Sequence, residues 1–217
     1  MMKLDLYVDT SRKGISMAVA TDGQGDSARY EEIVNPDARG EILGASVDEL
    51  LKRLGATLDD VKRVMVTLGP GSFSGLRTGV AFCQGLCFSG KRELYGVTTL
   101  LALQCFAGAE LSANKTAVVI RARNGYWYLR YDGKESFIET AAVADALRAG
   151  KPKAIVADAP AQEDETLKAV FAEIAATVTG DTGKPLSMWA PLFNTVKPSL
   201  IQEANYIQPS YFEKLKA

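Results

Sequence analysis

The sequence predicts an α/β protein in which a mixed five-stranded sheet carries helices and the same order of elements is then used a second time. Three observations point there. The chain begins with three strand-like segments joined as meanders. It continues with alternating helical and apolar strand-like segments. Near residue 105 the pattern starts again in shorter form. Meandering strands followed by alternating helices and strands suit a sheet with helices packed on it.

The first strand is "KLDLYVDTS", which alternates apolar and polar residues and runs into a turn-prone Asp-Thr-Ser. "GISMAVATDGQ" is the second, closed by the hairpin signal Asp22-Gly23, and "SARYEEIV" is the third. Asn35-Pro36-Asp37 breaks the chain. In "ARGEILGASVDELLKRLG", Leu43, Val47, Leu50, Leu51 and Leu54 recur at helical spacing, and Gly55 suits a C-terminal cap. "TLDDVKR" reads as a short helical turn. "VMVTL" and "ELYGV" read as buried strands, with a glycine loop and a long helix between them.

In the second copy, "KTAVVIRARN", "YWYLRYDG" and "ESFIET" are strands, "AAVADALRAG" a helix, "AIVAD" a strand and "EDETLKAVFAEIAA" a helix. The copies share an order of elements and not a visible sequence repeat. "PLSMWAPLFN" and "PSLIQEANYIQPSYFEKLK" finish the chain, punctuated by Pro198 and Pro209. The expected division is 1–105 and 106–217, with the tail from about 204 to 217 packing back on the first part.

Composition narrows the function. The chain has 217 residues, is 47% hydrophobic and carries a net charge of −1. That is ordinary for a globular protein and lacks the basic surplus of a protein that binds nucleic acid unaided. Its apolar runs are too short to span a membrane, and the N-terminus enters a strand directly, so a cytoplasmic protein without a secretory leader is expected. There is no histidine. This excludes Ser-His-Asp and Cys-His triads and histidine-held zinc, and argues against metalloprotease chemistry. The three cysteines, Cys83, Cys87 and Cys105, show no paired spacing and read as buried apolar residues.

The stretch "GPGSFSGLRTG" follows a strand and opens a helix. Gly69 and Gly71 permit close backbone approach, and Ser72 or Ser74 can cap the helix; backbone N–H groups so arranged can cradle a phosphate. It is neither a P-loop nor a dinucleotide fingerprint, because the lysine is absent and the glycine spacing is one residue too long. A tight turn with no ligand fits it equally. Asp9, Thr10 and Ser11 at the first hairpin could join a phosphate site or be a capped turn.

The helix after the loop has two apolar stripes. One is Leu76, Val80, Cys83 and Cys87; the other is Gly75, Gly79, Phe82 and Leu86. One stripe can meet the sheet and the other needs a cover, from the second domain or from a second chain. "RARNGYWYLRYDGK" mixes Arg121, Arg123 and Arg130 with Tyr126, Trp127, Tyr128 and Tyr131, which suits RNA stacking and also suits ordinary strands.

"LYVDTS…ISMAVATDG", "ATLDDVKRVMVTLGPGSFSGLRTGVAFCQGL" and "LYGVTTLLAL" resemble the TsaB (YeaZ) family over about residues 3–105, with a looser match to the end. The resemblance implies a two-lobed actin/Hsp70-like ATPase (ribonuclease H-like) fold, with the second lobe the smaller. It implies a non-catalytic scaffold, with no catalytic and no metal-binding residues of its own. Its partner would be TsaD, which transfers threonylcarbamoyl to adenosine 37 of tRNA, met through the helices after the third strand and the glycine loop, with Leu43, Val47, Leu50, Leu76, Val80, Cys83 and Cys87 as the expected interface residues. The ATPase TsaE would join them, tRNA would be met only through the complex, and two copies would pair when TsaD is absent. No cofactor is required on this reading, though weak ATP or ADP binding is compatible with it. The alternative is an independent ATP-binding enzyme using Asp9 and the glycine loop.

TsaD holds its metal with two histidines four apart. In the matching stretch "GVTTLLAL" this chain has Thr99 and Leu103. It departs from TsaB as well. The family's Asp-Ala-Arg-x-Gly-Glu is here Arg121-Ala122-Arg123-Asn124-Gly125-Tyr126, and a histidine before the first helix is Ala38.

Overall fold

The structure, a computed structural model, describes residues 3–21, 29–108 and 114–207. They fall into two units. One is made of Met1–Thr99 and Pro185–Asn205, the other of Leu100–Lys184 and Tyr206–Ala217. The expected boundary after residue 105 lies six residues beyond the observed one. The Asp22-Gly23 turn, Pro209 and the tail from 208 lie outside the described residues.

The first unit contains β1 (Leu4–Asp9), β2 (Ile15–Thr21), β3 (Tyr30–Asn35), α1 (Leu43–Leu54), β4 (Val61–Thr67), α2 (Phe73–Cys87) and β5 (Glu93–Val97). The sheet order is β3-β2-β1-β4-β5. β1 runs antiparallel to β2 and parallel to β4, and β5 continues the parallel side. The short turn at Leu58–Asp60 forms as the sequence indicates, closed by a Thr57/Asp60 capping box.

Helix α1 ends where Gly55 takes φ +64. Its N–H then reaches the Lys52 carbonyl at 3.0 Å while the Ala56 N–H reaches that of Leu51 at 2.9 Å. This reciprocal closure needs a left-handed residue, which glycine supplies without strain. The inner faces of α1 and α2 meet Leu4, Leu6, Val8, Met17, Val19, Val64 and Val66 in one apolar core.

The other face of this sheet is covered by a segment read from sequence without an element. Residues Leu186–Asn194 form a 3-10 helix in which Leu186, Trp189, Leu192 and Phe193 are buried. Leu186, Trp189 and Leu192 recur every three residues, the period of a 3-10 helix, which is the signal that could have found it. Trp189 and Phe193 pack on Tyr7 with ring centroids 6.4 and 5.8 Å away, and Phe193 meets Tyr95 at 4.8 Å. Beneath them Asp5 and Arg63 form a two-pronged ion pair with both contacts at 2.7 Å. The chain then runs beside β5. Ser199 N–H donates to Leu94, Asn205 N–H to Leu68, and the Gln84 amide to the carbonyls of Leu200 and Gln202.

A short helix, α3 (Thr99–Gln104), lies at the division. The second unit contains β6 (Thr116–Arg123), β7 (Tyr126–Tyr131), β8 (Lys134–Glu139), α4 (Thr140–Gly150), β9 (Ala154–Ala157), α5 (Ala159–Glu163), α6 (Glu165–Glu173) and β10 (Thr177–Gly180). Its sheet order, β10-β9-β6-β7-β8, is the first unit's order again. β6, β7 and β8 are antiparallel while β6, β9 and β10 are parallel. The single helix expected over "EDETLKAVFAEIAA" starts later, because Asp164 caps α6 by accepting from the N–H groups of Thr166 and Leu167. The sequence reading also missed β10, a four-residue strand too short to show a period.

Candidate functional site

The hairpin between β1 and β2 meets the glycine loop between β4 and α2. Asp9, at the end of β1, is buried. Its Oδ1 accepts from the Ser11 N–H (2.9 Å), the Ser11 hydroxyl (2.6 Å) and the Thr67 hydroxyl (2.8 Å). The carboxylate thus closes the hairpin and ties it to β4. The loop answers from its own side, where the Ser72 N–H donates to the Ser11 carbonyl at 2.7 Å.

The glycines have a steric explanation. A Cβ on Gly71 would lie 2.1 Å from the Ser11 carbonyl oxygen, one on Gly75 2.2 Å from the Thr10 carbonyl oxygen, and one on Gly79 2.1 Å from the Thr10 hydroxyl oxygen. Spaced four apart, these three let the hairpin lie directly against the start of α2. Gly69 takes φ +112, and a Cβ there would stand 2.6 Å from the Asn205 carbonyl oxygen. Ser72 caps α2 through the Gly75 N–H at 3.3 Å.

The residues expected at a phosphate site therefore divide. Asp9, Ser11, Gly69 and Gly71 are engaged in this packing. Thr10 and Ser72 share in it and, with Ser74, also line a pocket of about 790 Å³ between the hairpin, the segment 36–41 and the start of α2. Arg12, Lys13, Arg39 and Thr78, with the carboxylates Asp37 and Glu41, complete its polar wall and were not singled out in the sequence. The charges in "SRKG" were the available signal, but Arg39 reaches them only through the fold.

The expected interface residues need correction. Leu43, Val47, Leu50, Leu76, Val80, Cys83 and Cys87 are between 0 and 5% exposed and belong to the first unit's own core. Their spacing marks the stripe that meets the sheet. The outward face of α2 is a different set: Phe73 (59% exposed) and Phe88 (80%) at its ends, with Arg77, Ala81 and Gly85 exposed between them and Phe82 half-buried. A Cβ on Gly85 would meet nothing within 4 Å.

All three thiols are buried. Burial pushes Cys83 well up, Cys87 to about 11 and Cys105 to about 12. At pH 8 they stay protonated and are poor nucleophiles. A thiol-labelling reagent is therefore expected to modify none of the three in the native protein and all three in denaturant. Stoichiometric native labelling would contradict the burial.

The aromatic stretch of the second unit is largely core. Trp127 and Tyr128 are buried, and the Trp127 indole N–H anchors the start of α4 at the Thr140 hydroxyl, 2.9 Å away. Tyr126 stacks on Phe137 at 4.9 Å under the Arg123 guanidinium and donates its hydroxyl to Glu139 at 2.6 Å. Arg121 is fixed by its backbone N–H, which donates to the buried Asp158 at 2.8 Å.

Two sheets of identical order, each with three antiparallel and two further parallel strands, define the actin/Hsp70-like ATPase class, ribonuclease H-like in each unit. A solved protein of Pseudomonas aeruginosa, described as having similarity to peptidase YeaZ, superimposes with a TM-score of 0.69 over 95% of this chain and all of its own, at 22% identity. The family profile for TsaD, tRNA N6-adenosine threonylcarbamoyltransferase, matches residues 37–179, and the chain belongs to that family. YeaZ from Pseudomonas aeruginosa is 28% identical, with a TM-score of 0.50 over 64% of this chain and 70% of its own. The tRNA threonylcarbamoyladenosine biosynthesis protein TsaB of Escherichia coli is 31% identical over 124 residues, 56% of this chain and 52% of that protein. The resemblance to TsaB seen in the sequence is borne out by these relatives. The chain spans about half the length of the curated relatives it matches. Among the described residues, no helix is long and apolar enough to cross a membrane.

Proposed function

We propose that this chain is a non-catalytic subunit in threonylcarbamoyladenosine formation on tRNA, binding a TsaD-type transferase through the outward face of α2. The observation that carries the reading is the chemistry missing from α3. On the resemblance in sequence, Thr99 and Leu103, both buried, match the positions of the transferase's metal-binding histidines, and the chain has no histidine. Neither side chain is a nitrogen ligand. Membership of the family and relatives named for threonylcarbamoyladenosine biosynthesis support the pathway.

The outward face supports the partner. Phe73, Ala81, Phe82 and Phe88 give apolar contact, and Gly85 leaves room for a neighbouring backbone. In the same reading a TsaE-type ATPase joins the pair, two copies associate through this face when the transferase is absent, and the work is cytoplasmic. The role asks for no cofactor on this chain.

The test is co-purification of the tagged chain from its own host, with Gly85→Glu as the discriminating variant. A Cβ added at Gly85 meets nothing within 4 Å among the described residues, so the fold is expected to persist. Burying that carboxylate in an interface is expected to weaken capture of the transferase by about a hundredfold. Undiminished capture, or no capture by the unaltered chain, would overturn the proposal. Leu76→Asp is not a useful probe, because Leu76 is wholly buried and its loss would unfold the unit.

A further inference from the structure

Four exposed lysines meet at one end of the second unit. We infer that this end grips the phosphate backbone of a folded RNA, through Lys115, Lys134, Lys151 and Lys153. The choice of RNA as the polyanion rests on the function proposed above.

The fold gathers the four from separate segments. Lys115 precedes β6 and Lys153 precedes β9, and these strands run parallel with Thr116 opposite Ala154. The Lys153 N–H donates to the Lys115 carbonyl at 2.8 Å. The two lysines therefore enter neighbouring strands about 5 Å apart. Lys151, two residues earlier, caps the end of α4. Tyr131 ties that end to the start of β6, its hydroxyl lying 2.8 Å from the Gly150 carbonyl oxygen and 3.0 Å from that of Asn114. Lys134 stands opposite Tyr131 on β8.

None of the four makes an ion pair among the described residues. Like charges on neighbouring strands repel, and little in the chain offsets them here. Asp132, in the turn between β7 and β8, is exposed at the same end. Glu135 is held by Arg130 and Glu173 by Arg148. The end of α4 adds partial negative charge, but the Tyr131 hydroxyl already occupies the Gly150 carbonyl. The positive charge is local, so a net charge of −1 for the whole chain conceals it.

A second observation is independent of charge. Lys151 takes φ +45 and ψ +57, in the left-handed region. Glycine is the usual residue at such a helix end and would close α4 with less strain. What lysine adds at this position is an ammonium group, and a strained residue points to a use for its side chain.

The residue types indicate what is read. Lysines on long, flexible stems meet phosphates as point charges. Tyr131 is half-buried with its hydroxyl engaged, so it is not free to stack on a base. Contacts of this kind position an RNA without reading its sequence.

Fluorescence anisotropy of labelled tRNA, titrated with the full chain at low salt, tests this without any partner protein. Saturable binding that weakens as salt rises is expected. Lys115→Glu combined with Lys153→Glu is expected to weaken it by at least about tenfold. Lys151→Gly is expected to lower the slope of log affinity against log salt by about one. Its unfolding midpoint should hold or rise, which separates a lost contact from lost folding. No saturable binding at low salt, or affinity indifferent to these variants, would overturn the inference. Tighter binding of polyglutamate or of phosphatidylserine vesicles than of tRNA would assign the lysines to another acidic partner and overturn it too. Capture of the transferase, read with Gly85→Glu, scores the function proposed above by a different measurement, so either can fail alone.

Discussion

Gly75→Ala is expected to destabilise the first unit by about 1–3 kcal/mol, although alanine is the better helix former. Propensity alone favours the substitution by ~1 kcal/mol in a helix interior. The opposing contact is larger: the new methyl would stand 2.2 Å from the Thr10 carbonyl oxygen. That oxygen belongs to the backbone of a hairpin fixed by Asp9 and by the Ser72 N–H. It cannot turn aside as a side chain would, so α2 or the hairpin must move. Gly85→Ala in the same helix is the control. Nothing lies within 4 Å of its Cβ, and it is expected to be neutral or to stabilise by up to ~1 kcal/mol. Urea midpoints of the two variants give the answer. Equal stabilities would mean that the hairpin and α2 are not held at this separation.

Asp5→Asn is the second large effect, with an expected loss of about 3 kcal/mol. Asp5 receives both prongs of the Arg63 guanidinium, and the same guanidinium lies 4.3 Å from the centre of the Phe193 ring. The pair sits beneath Leu186–Asn194, with the Asp5 side chain 4% and that of Arg63 24% exposed. Removing the carboxylate charge leaves a largely buried cation facing an amide. Replacing both partners by apolar residues of similar size, as in Asp5→Leu with Arg63→Met, should recover much of the loss, because no charge is then stranded. Denaturation followed by tryptophan fluorescence reads both variants, since Trp189 lies in the same cluster. A double variant weaker than Asp5→Asn would show that the pair stabilises the fold outright.

Much of this architecture could be read locally. Alternation marked β1 and β2, Gly55 marked the end of α1, and the renewed order near residue 105 marked the second sheet. These signals are carried by neighbouring residues, so they survive in one dimension. What failed depended on contacts distant in sequence. The stripe Leu76, Val80, Cys83 and Cys87 was correctly apolar, but periodicity says that a face is buried and not what buries it. The sheet claimed that face, and Phe73 and Phe88 were left outside. At the site, the glycines drew attention to the right junction. Their neighbours Thr10 and Ser11 lie more than 55 residues away in the chain, so only the fold reveals that Gly71, Gly75 and Gly79 make space for them. Arg39 joins Arg12 and Lys13 for the same reason.

The return of Pro185–Asn205 to the first unit bears on the order in which the protein is made. Synthesis delivers β1 before the other described strands, yet the residues that roof Tyr7 and Tyr95 are translated only after β10. The sheet begun before the other is completed after it. A nascent chain from which β10 has just emerged can hold every described strand of its second sheet while the first still exposes an aromatic face to water. For this protein the hazardous interval in folding belongs to the first unit, and it ends only when Pro185–Asn205 arrives.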